Sequence, residues 1–323
     1  MKKEADQGRA NYYGPVAIVG PTATGKTAAA YELARRIGAE VISADSMAVY
    51  RGMNIGTAKP SIEQRQHVPF HLIDLVEPDE KFTVADFQER AVQTIDNIVS
   101  RGRIPILAGG TGLYIRAVID GLNIPKPEPN DQIREELNKA AVENGKGYLH
   151  RQLAQVDPAR AAMLHPNDTK RIIRALEVFE QTGTPMSAFI EETKSDKTRY
   201  PNALLFGLTM DRARLYSRIE ERVDEQIQAG LVEEVAGLLE RGLNGSMPAL
   251  QGLGYKEIAD HLNGKNNLAT AISLLKRNTR RFAKRQYTWF RADQRIEWVD
   301  VDDLPASEVA DIIEAKLRGA GNL

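Results

Sequence analysis

Residues 20–27 are GPTATGKT, which fits the phosphate-loop pattern G-x-x-x-x-G-K-[ST] without a gap. The apolar run VAIV at 16–19 precedes this loop and predicts a short buried strand. The Ala-rich stretch at 28–37 predicts a helix, which Gly38 is placed to end. This order brings loop amides and the positive end of a helix dipole to one anionic group. The stretch therefore predicts a bound di- or triphosphate.

Every residue of this loop is a candidate diphosphate ligand. The Lys26 side chain adds a mobile positive charge, and the Thr27 hydroxyl is placed to hold Mg²⁺, the cofactor we expect. The predicted diphosphate-binding residues of the loop are Gly20, Pro21, Thr22, Ala23, Thr24, Gly25, Lys26 and Thr27.

Composition limits the class of protein. The chain has 323 residues, of which 42% are apolar and 27% charged, so it can form two domains or one domain with an insertion. The net charge of −1 means that any surface attracting nucleic acid must be local. The absence of cysteine excludes disulfides and cysteine-ligated zinc and suits a cytoplasmic protein. The five histidines form no metal-spaced pair, and no apolar run approaches the length of a membrane span. We expect no membrane association.

Three strand ends are predicted to meet at one crevice. The run EVISA at 40–44 predicts a second strand that ends at Asp45, and IPILA at 104–108 predicts a strand followed by GGTG at 109–112. In a parallel α/β sheet the ligand binds outside the carboxyl ends of the strands, so Asp45 is expected beside the phosphate loop. The alternative role of Asp45 is a helix cap or a turn. Many phosphate-loop kinases and ATPases carry a magnesium-binding aspartate after such a strand; Ala108 at this position argues against an ordinary ATPase.

The chain as a whole predicts an α/β fold: a P-loop NTPase-like parallel sheet flanked by helices, with an all-helical insertion domain. Prolines and polar residues around 125–129 and 194–202 mark the limits of the insertion. We assign residues 15–124 and 200–323 to the catalytic core, 125–199 to the insertion and 1–14 to a loose leader. Within the core we also predict a strand at 71–75, and one long helix with apolar residues at every fourth position from 215 to 235.

Two basic segments are candidate ligand sites. Arg214, Arg218 and Arg222 recur every four residues, which suits either a solvated face paired with glutamates or a diphosphate clamp. The segment 276–291 is strongly basic, contains no acid and carries interleaved aromatic residues. It predicts either a helix that contacts a nucleic-acid backbone and stacks on a base, or a surface helix whose aromatic residues belong to the core.

From about residue 16 to 291 the chain resembles the bacterial tRNA dimethylallyltransferase family. The motifs that carry the resemblance are GPTATGKT at 20–27, Asp45-Ser46 with VYRGM at 49–53, IGTAKP at 55–60, GGTGLY at 109–114, and FAKRQ at 282–286 with TWFR at 288–291. The chain departs from the family pattern at Ala48, where glutamine is usual, at Asn54, where aspartate is usual, and at Phe70, where histidine is common. Because that glutamine contacts tRNA in the family, the resemblance does not carry over the glutamine contact to Ala48.

The resemblance implies a reaction that suits these residues. The loop holds dimethylallyl diphosphate, and Asp45 accepts the proton from the exocyclic amine of an adenine beside the anticodon while that amine attacks the allylic carbon. Thr111 orients the reacting groups, and Arg218 and Arg222 are the clamp candidates for the departing pyrophosphate. The base must be flipped out of its stack to react.

The resemblance also implies an interface for the anticodon stem-loop of tRNA. The residues assigned to it are Asp45, Ser46, Met47, Ala48, Thr111, Arg134, Lys170, Arg171, Arg174, Gln251, Gly252, Gly254, Tyr255, Ala283, Lys284, Arg285, Gln286, Thr288, Trp289 and Phe290.

We expect a monomer without an obligate protein partner. Three other functions remain open: a P-loop small-molecule or nucleotide kinase, a prenyltransferase acting on free adenine nucleotides, and a non-catalytic RNA-binding ATPase. The first two have no need of the basic aromatic helix, and Asp45 and Ala108 argue against the third.

Overall fold

The computed structural model of the chain describes residues 14–125, 127–195, 198–321 and 323, and its centre is a parallel β-sheet. The strands are β1 (Val16–Val19), β2 (Glu40–Ser43), β3 (Phe70–His71), β4 (Pro105–Gly109), β5 (Leu204–Thr209) and β6 (Ile296–Asp300). Their order is β3-β2-β4-β1-β5-β6, and every neighbouring pair is parallel. The predicted α/β fold is confirmed.

Fourteen helices are present among the described residues. They are α1 (Lys26–Ile37), α2 (Ile62–His67), α3 (Val84–Ser100), α4 (Gly112–Asp120), α5 (Asp131–Asn144), α6 (Tyr148–Val156), α7 (Pro158–Met163), α8 (Thr169–Thr182), α9 (Met186–Ser195), α10 (Arg212–Gln228), α11 (Leu231–Glu240), α12 (Tyr255–Leu262), α13 (Leu268–Arg291) and α14 (Ala306–Gly319). A short 3₁₀ helix, Ala249–Gln251, precedes α12.

The first helix follows the phosphate loop as the sequence predicts. Its buried face is small, with Ala29, Ala30, Leu33 and Ala34 packed into the core beside the sheet. The backbone N–H of Gly38 donates to the Ala34 carbonyl and ends the helix. The loop between β1 and α1 is therefore held at both ends by buried structure.

Two compact units make up the described chain. One contains Asp86–Ile115, Asn202–Leu323 and the chain up to Phe82, and it holds the whole sheet. The other contains Thr83–Ala85 and Arg116–Pro201, and its own core is formed between α5, α6, α7 and α8. The predicted insertion, 125–199, falls inside this second unit, and the predicted leader lies outside the described residues except for Gly14.

Two predicted elements are wrong. The strand predicted at 71–75 stops at His71, because Leu72 and Asp74 have positive φ angles of 60° and 56° that no strand can contain. The single long helix predicted from 215 to 235 is two helices, α10 and α11. Gly230, at φ 98°, turns the chain between them in a conformation that favours glycine.

Candidate active site at the carboxyl edge of the sheet

The carboxyl ends of β1, β2 and β4 meet as the sequence predicts. They deliver the phosphate loop, Asp45 and the turn at 109–112 to two adjoining cavities of about 270 Å³ and 350 Å³. Both cavities are lined by Thr22, Ala23, Asp45, Thr57, Gly110, Arg222, Phe282 and Gln286. One continuous site therefore joins the anion cradle to the predicted base.

The phosphate loop is shaped by its own hydrogen bonds. The Thr24 hydroxyl donates to the Pro21 carbonyl at 2.9 Å, and Lys26 Nζ donates to the same oxygen at 2.5 Å. Gly20 has φ 134°, and a Cβ added there would lie 2.6 Å from the Leu208 carbonyl oxygen, so only glycine fits. Lys26 is thus folded back on its own loop, close to where an anion would bind.

The charges in the cavity leave Lys26 without full compensation. Burial lowers the pKa of Lys26 to about 7, Arg222 lowers it further, and Asp45 partly opposes both. Burial also lowers the pKa of the Arg222 guanidinium, against the influence of Asp45 and Glu225. Two cations crowded against one carboxylate favour an anion of more than one negative charge.

Asp45 and Thr111 lie on adjoining loops that are tied together. Asp45 Oδ1 accepts the Met47 N–H at 2.8 Å, and the Thr111 hydroxyl oxygen accepts the Ser46 N–H at 3.0 Å. The Thr111 N–H donates to the Ala44 carbonyl at 3.1 Å. Because the backbone holds these contacts, the carboxylate and hydroxyl are positioned before any substrate arrives.

The loop at 54–57 is anchored by a carboxylate that the sequence analysis did not identify. Glu234 accepts the backbone N–H groups of Asn54, Ile55 and Gly56, at 2.8, 2.9 and 3.3 Å. Gln226 donates to the carbonyls of Ile55 and Gly56 at 2.9 and 3.0 Å. These bonds hold Thr57 at the cavity wall. Sequence gave no signal for this role, since Glu234 and Gln226 resemble ordinary polar helix residues.

Tyr255 belongs to this anchor rather than to a surface. Its hydroxyl donates to Glu234 Oε1 at 2.6 Å, and the residue is fully buried. Burial, with the hydrogen bond and the charge of Glu234, raises the pKa of Tyr255. The assignment of Tyr255 as a tRNA contact is therefore corrected, and the neighbouring Gly254 is buried as well.

Other predicted contacts line the second cavity. Ser46, Met47, Gln251 and Gly252 do so, and a Cβ added at Gly252 would lie 2.5 Å from Met47 Cε. Ala48 is buried and lines the first cavity. With its small side chain it adds no polar group there.

The basic helix α13 presents only part of its predicted set to solvent. Lys284, Arg285, Thr288 and Trp289 are exposed, whereas Ala283 and Phe290 are buried. The two buried side chains offer no surface to RNA, so their assignment as contacts is corrected: they pack α13 onto the core. The aromatic residues of this segment thus divide between the two alternatives left open by the sequence.

Gln286 is also turned inward. Its Oε1 accepts the Thr22 N–H at 2.8 Å, and its Nε2 donates to the Gly110 carbonyl at 2.9 Å. Both functional groups of the amide are bound to the protein, while the side chain lines both cavities, so the assignment of Gln286 as a tRNA contact stays a prediction.

Of the two arginines predicted to clamp the diphosphate, only Arg222 lines the cavities. Arg218 is exposed and lines a separate hollow beside Asp302 and Asp303, where Arg214 forms an ion pair with Asp303. Successive positions four apart drift around the helix, so only Arg222 faces the cavities. The catalytic role predicted for Arg218 is not supported by this geometry.

In the helical unit, two of the four predicted RNA contacts are committed to a buried carboxylate. Glu177 is fully buried, and its oxygens accept from Arg134 at 2.8 Å and from Arg174 at 2.7 Å. Its desolvation alone would raise its pKa, but the bonds from these arginines outweigh that and lower it. Lys170 and Arg171 are exposed at the start of α8. The structure therefore gives Arg134 and Arg174 a role inside the unit and leaves Lys170 and Arg171 at the surface, where Arg171 pairs with Asp168 at 3.3 Å.

The site fits a magnesium ion that comes with its anion. The Thr27 side chain lines the first cavity, and its hydroxyl supplies a hard oxygen atom of the kind that Mg²⁺ prefers. Among the residues that the structure describes, no three His, Asp or Glu side chains cluster as a metal site. The ion would take its remaining ligands from phosphate oxygens and water. No helix within the described ranges has the length and apolar content to cross a membrane.

Comparison with known proteins identifies the family. A sequence model described as IPP transferase matches residues 48–293. The chain belongs to this family. The match covers the loop from residue 48 to 60, the turn at 109–112 and the basic helix, whereas the phosphate loop and Asp45 precede it.

Relatives in this family are similar over nearly the whole chain. The tRNA dimethylallyltransferase of Desulforudis audaxviator is 54% identical over 288 residues, 89% of this chain and 92% of that protein. The enzyme of the same name from Geobacter metallireducens is 54% identical over 285 residues, 88% of this chain and 92% of its own.

Solved structures agree in fold. The tRNA isopentenylpyrophosphate transferase of Bacillus halodurans is 44% identical, covers 95% of this chain and 97% of its own, and has a TM-score of 0.69. A eukaryotic dimethylallyltransferase, described as acting on tRNA, is 26% identical over 96% of this chain and 80% of its own, with a TM-score of 0.80. The chain is a prenyl-transferring enzyme of this family.

Proposed function

We propose that the protein transfers a dimethylallyl group from dimethylallyl diphosphate to the N6 amine of an adenosine beside the anticodon of tRNA, releasing pyrophosphate. One observation supports the proposal most directly: Lys26, Arg222 and Asp45 line a single continuous site. The groups that can bind an anion and a carboxylate that can accept a proton therefore face the same cavity. Transfer to an amine needs the cradle for the leaving diphosphate and the carboxylate for the proton of the amine.

The cradle binds the diphosphate and stabilises it as it leaves. Negative charge grows on the bridging oxygen as the allylic C–O bond breaks, and the Lys26 ammonium and Arg222 guanidinium are in place to meet it. Because these groups are fixed before the reaction, their stabilisation acts mainly in the transition state. Mg²⁺ held by Thr27, when bound, neutralises phosphate charge.

Asp45 takes the proton from the amine. The adenine amine is a weak nucleophile, since its lone pair is delocalised into the ring, and losing its proton as the C–N bond forms lowers the barrier. The Asp45 carboxylate keeps one oxygen on the Met47 N–H, which fixes its direction towards the shared cavity. Thr111, tied to Ser46, orients the groups beside it.

The target base enters the second cavity from the side of α13. Arg285 lines this cavity, and Lys284, Thr288 and Trp289 extend an exposed basic and aromatic surface along the helix. Such a surface attracts a phosphate backbone and stacks on an unpaired base. We propose the tRNA anticodon stem-loop as its partner, with Lys170 and Arg171 of the helical unit as further contacts, and a monomer as the active form.

The test is transfer of radiolabel from dimethylallyl diphosphate, with Mg²⁺, to either unmodified tRNA or AMP in parallel reactions. We expect label in tRNA alone, lost when the target adenosine is replaced by guanosine. Label in AMP alone would instead assign a free-nucleotide prenyltransferase. Label in neither, with phosphoryl transfer from ATP, would assign a kinase.

A further inference from the structure

Gln286 joins two loops of the site that the chain separates by almost ninety residues. It is one of few polar residues buried in the described chain, and both ends of its amide are bonded: Oε1 accepts from the phosphate loop at Thr22 and Nε2 donates to the Gly110 carbonyl. A buried amide with both ends bonded fixes the distance between the groups it joins. The strands before the two loops pair as far as Val19 and Gly109, and Gln286 adds a side-chain link just beyond the end of that pairing.

The connection continues to the predicted base. Gly110 precedes Thr111, whose hydroxyl oxygen accepts the Ser46 N–H directly after Asp45. The path from the anion cradle to the carboxylate is thus Thr22, Gln286, Gly110, Thr111 and Ser46, each step a covalent link or a hydrogen bond. This path links the loop that binds the leaving group to the loop that carries the base.

The helix that carries Gln286 is itself rigidly seated. The Tyr287 hydroxyl accepts the Met210 N–H at 3.1 Å at the end of β5. A Cβ added at Gly112 would collide with the Trp289 indole, and one added at Gly110 would collide with the Gln286 amide. The absence of side chains at Gly110 and Gly112 therefore leaves the space that the Gln286 and Trp289 side chains occupy.

We propose that Gln286 is a positioning residue that holds the phosphate loop in register with the loops carrying Thr111 and Asp45, and so sets the affinity of the site for diphosphate. The inference rests on the proposed function for the identity of the anion. It assigns to Gln286 a role opposite to that of its exposed neighbours on α13, which face RNA.

The experiment measures binding of pyrophosphate with Mg²⁺ by calorimetry, without tRNA, and binding of tRNA separately. Gln286→Met keeps the size of the side chain and removes both hydrogen bonds; it should weaken pyrophosphate binding about tenfold and raise KM for dimethylallyl diphosphate by a similar factor. Its Kd for tRNA should stay within about twofold of wild type. Lys284→Ala, on the exposed face of the same helix, is the matched control and should show the reverse.

A second variant guards against simple misfolding of the first. Gly110→Ala leaves α13 unchanged but displaces the Gln286 amide, so it should also weaken pyrophosphate binding. Combining it with Gln286→Met should weaken pyrophosphate binding no more than the more damaging of the two single variants does, because both remove the same interaction.

The outcomes distinguish a failure of the positioning role of Gln286 from a failure of the proposed function. If wild type binds pyrophosphate and Gln286→Met binds it equally, or loses tRNA binding instead, the positioning role is wrong and the proposed function stands. If wild type itself fails to bind pyrophosphate, both are wrong.

Discussion

The two ends of strand β2 carry carboxylates in opposite situations. At its start, Glu40 is buried and its oxygens lie 2.6, 2.7 and 2.9 Å from nitrogens of His71, Arg101 and Arg103. Just past its end, Asp45 stands in an open cavity near two cations, and one of its oxygens is occupied by a backbone N–H. The charge of Glu40 is offset by side chains of the protein, whereas the charged groups around Asp45 face a cavity that can receive a ligand.

The pKa shifts express the same difference. Burial would raise the pKa of Glu40, but hydrogen bonds from Arg101 and His71 outweigh it, so the pKa is lowered. At the other end burial and a neighbouring cation lower the pKa of Lys26 to about 7. The cations around Glu40 stabilise its carboxylate, whereas Asp45 does not offset the effects of burial and of Arg222 on the Lys26 ammonium.

The largest effect on catalysis is expected when the charge of Asp45 is removed. Asp45→Asn keeps the size of the side chain and the acceptor for Met47 N–H, but it cannot take a proton. We expect kcat to fall about 1,000-fold with tRNA affinity little changed, because proton removal matters only along the reaction path. Single-turnover prenylation checks this. A variant that keeps more than about a tenth of the wild-type rate would show that Asp45 is not the base.

The pH dependence of diphosphate binding tests the lowered pKa of Lys26. Since the diphosphate interacts with charged Lys26, and Lys26 loses its proton above a pKa of about 7, KM for dimethylallyl diphosphate should rise up to about tenfold per unit from pH 7 to 9. Lys26→Arg keeps its charge throughout this range, so its profile corrects for titration of the ligand. Parallel slopes for the two proteins would place the pKa of Lys26 elsewhere.

Removing exposed cations of α13 should weaken the binding of RNA. We expect the double variant Lys284→Ala, Arg285→Ala to weaken tRNA binding about fivefold at moderate salt and to flatten its salt dependence, because fewer counterions are released. Filter binding across a salt series gives the slope. An unchanged slope would remove α13 from the RNA footprint.

The smallest catalytic effect is expected at the cluster around Glu40. Glu40→Gln leaves Arg101, Arg103 and His71 with a neutral partner. Since these are partly exposed, we expect a loss of about 2 kcal/mol, or roughly 5 °C in Tm, with kcat and KM unchanged below the transition. Because folding lowers the pKa of Glu40, its contribution is present above pH 4.5, the ordinary value, and is lost as the pH falls through the lowered one. Thermal melts from pH 3 to 7 should therefore converge for wild type and variant at acid pH. A large loss of turnover would contradict the structural role.

The sequence determined the elements around the phosphate loop and the chemistry of the site's centre. The phosphate loop, Asp45 after its strand and the glycine turn at 109–112 lie where their patterns placed them, because short-range periodicity and turn residues fix local structure. The parallel order of the strands then forces their carboxyl ends together.

Only the tertiary structure decided which side chains serve the site and which serve the fold. A basic residue reads the same in sequence whether it faces solvent, as Lys284 does, or a buried carboxylate, as Arg134 does. Gln286 and Glu234 were assigned by contacts with segments far away in the chain. Such long-range bonds depend on how helices pack on the sheet, which the local pattern of residues does not encode.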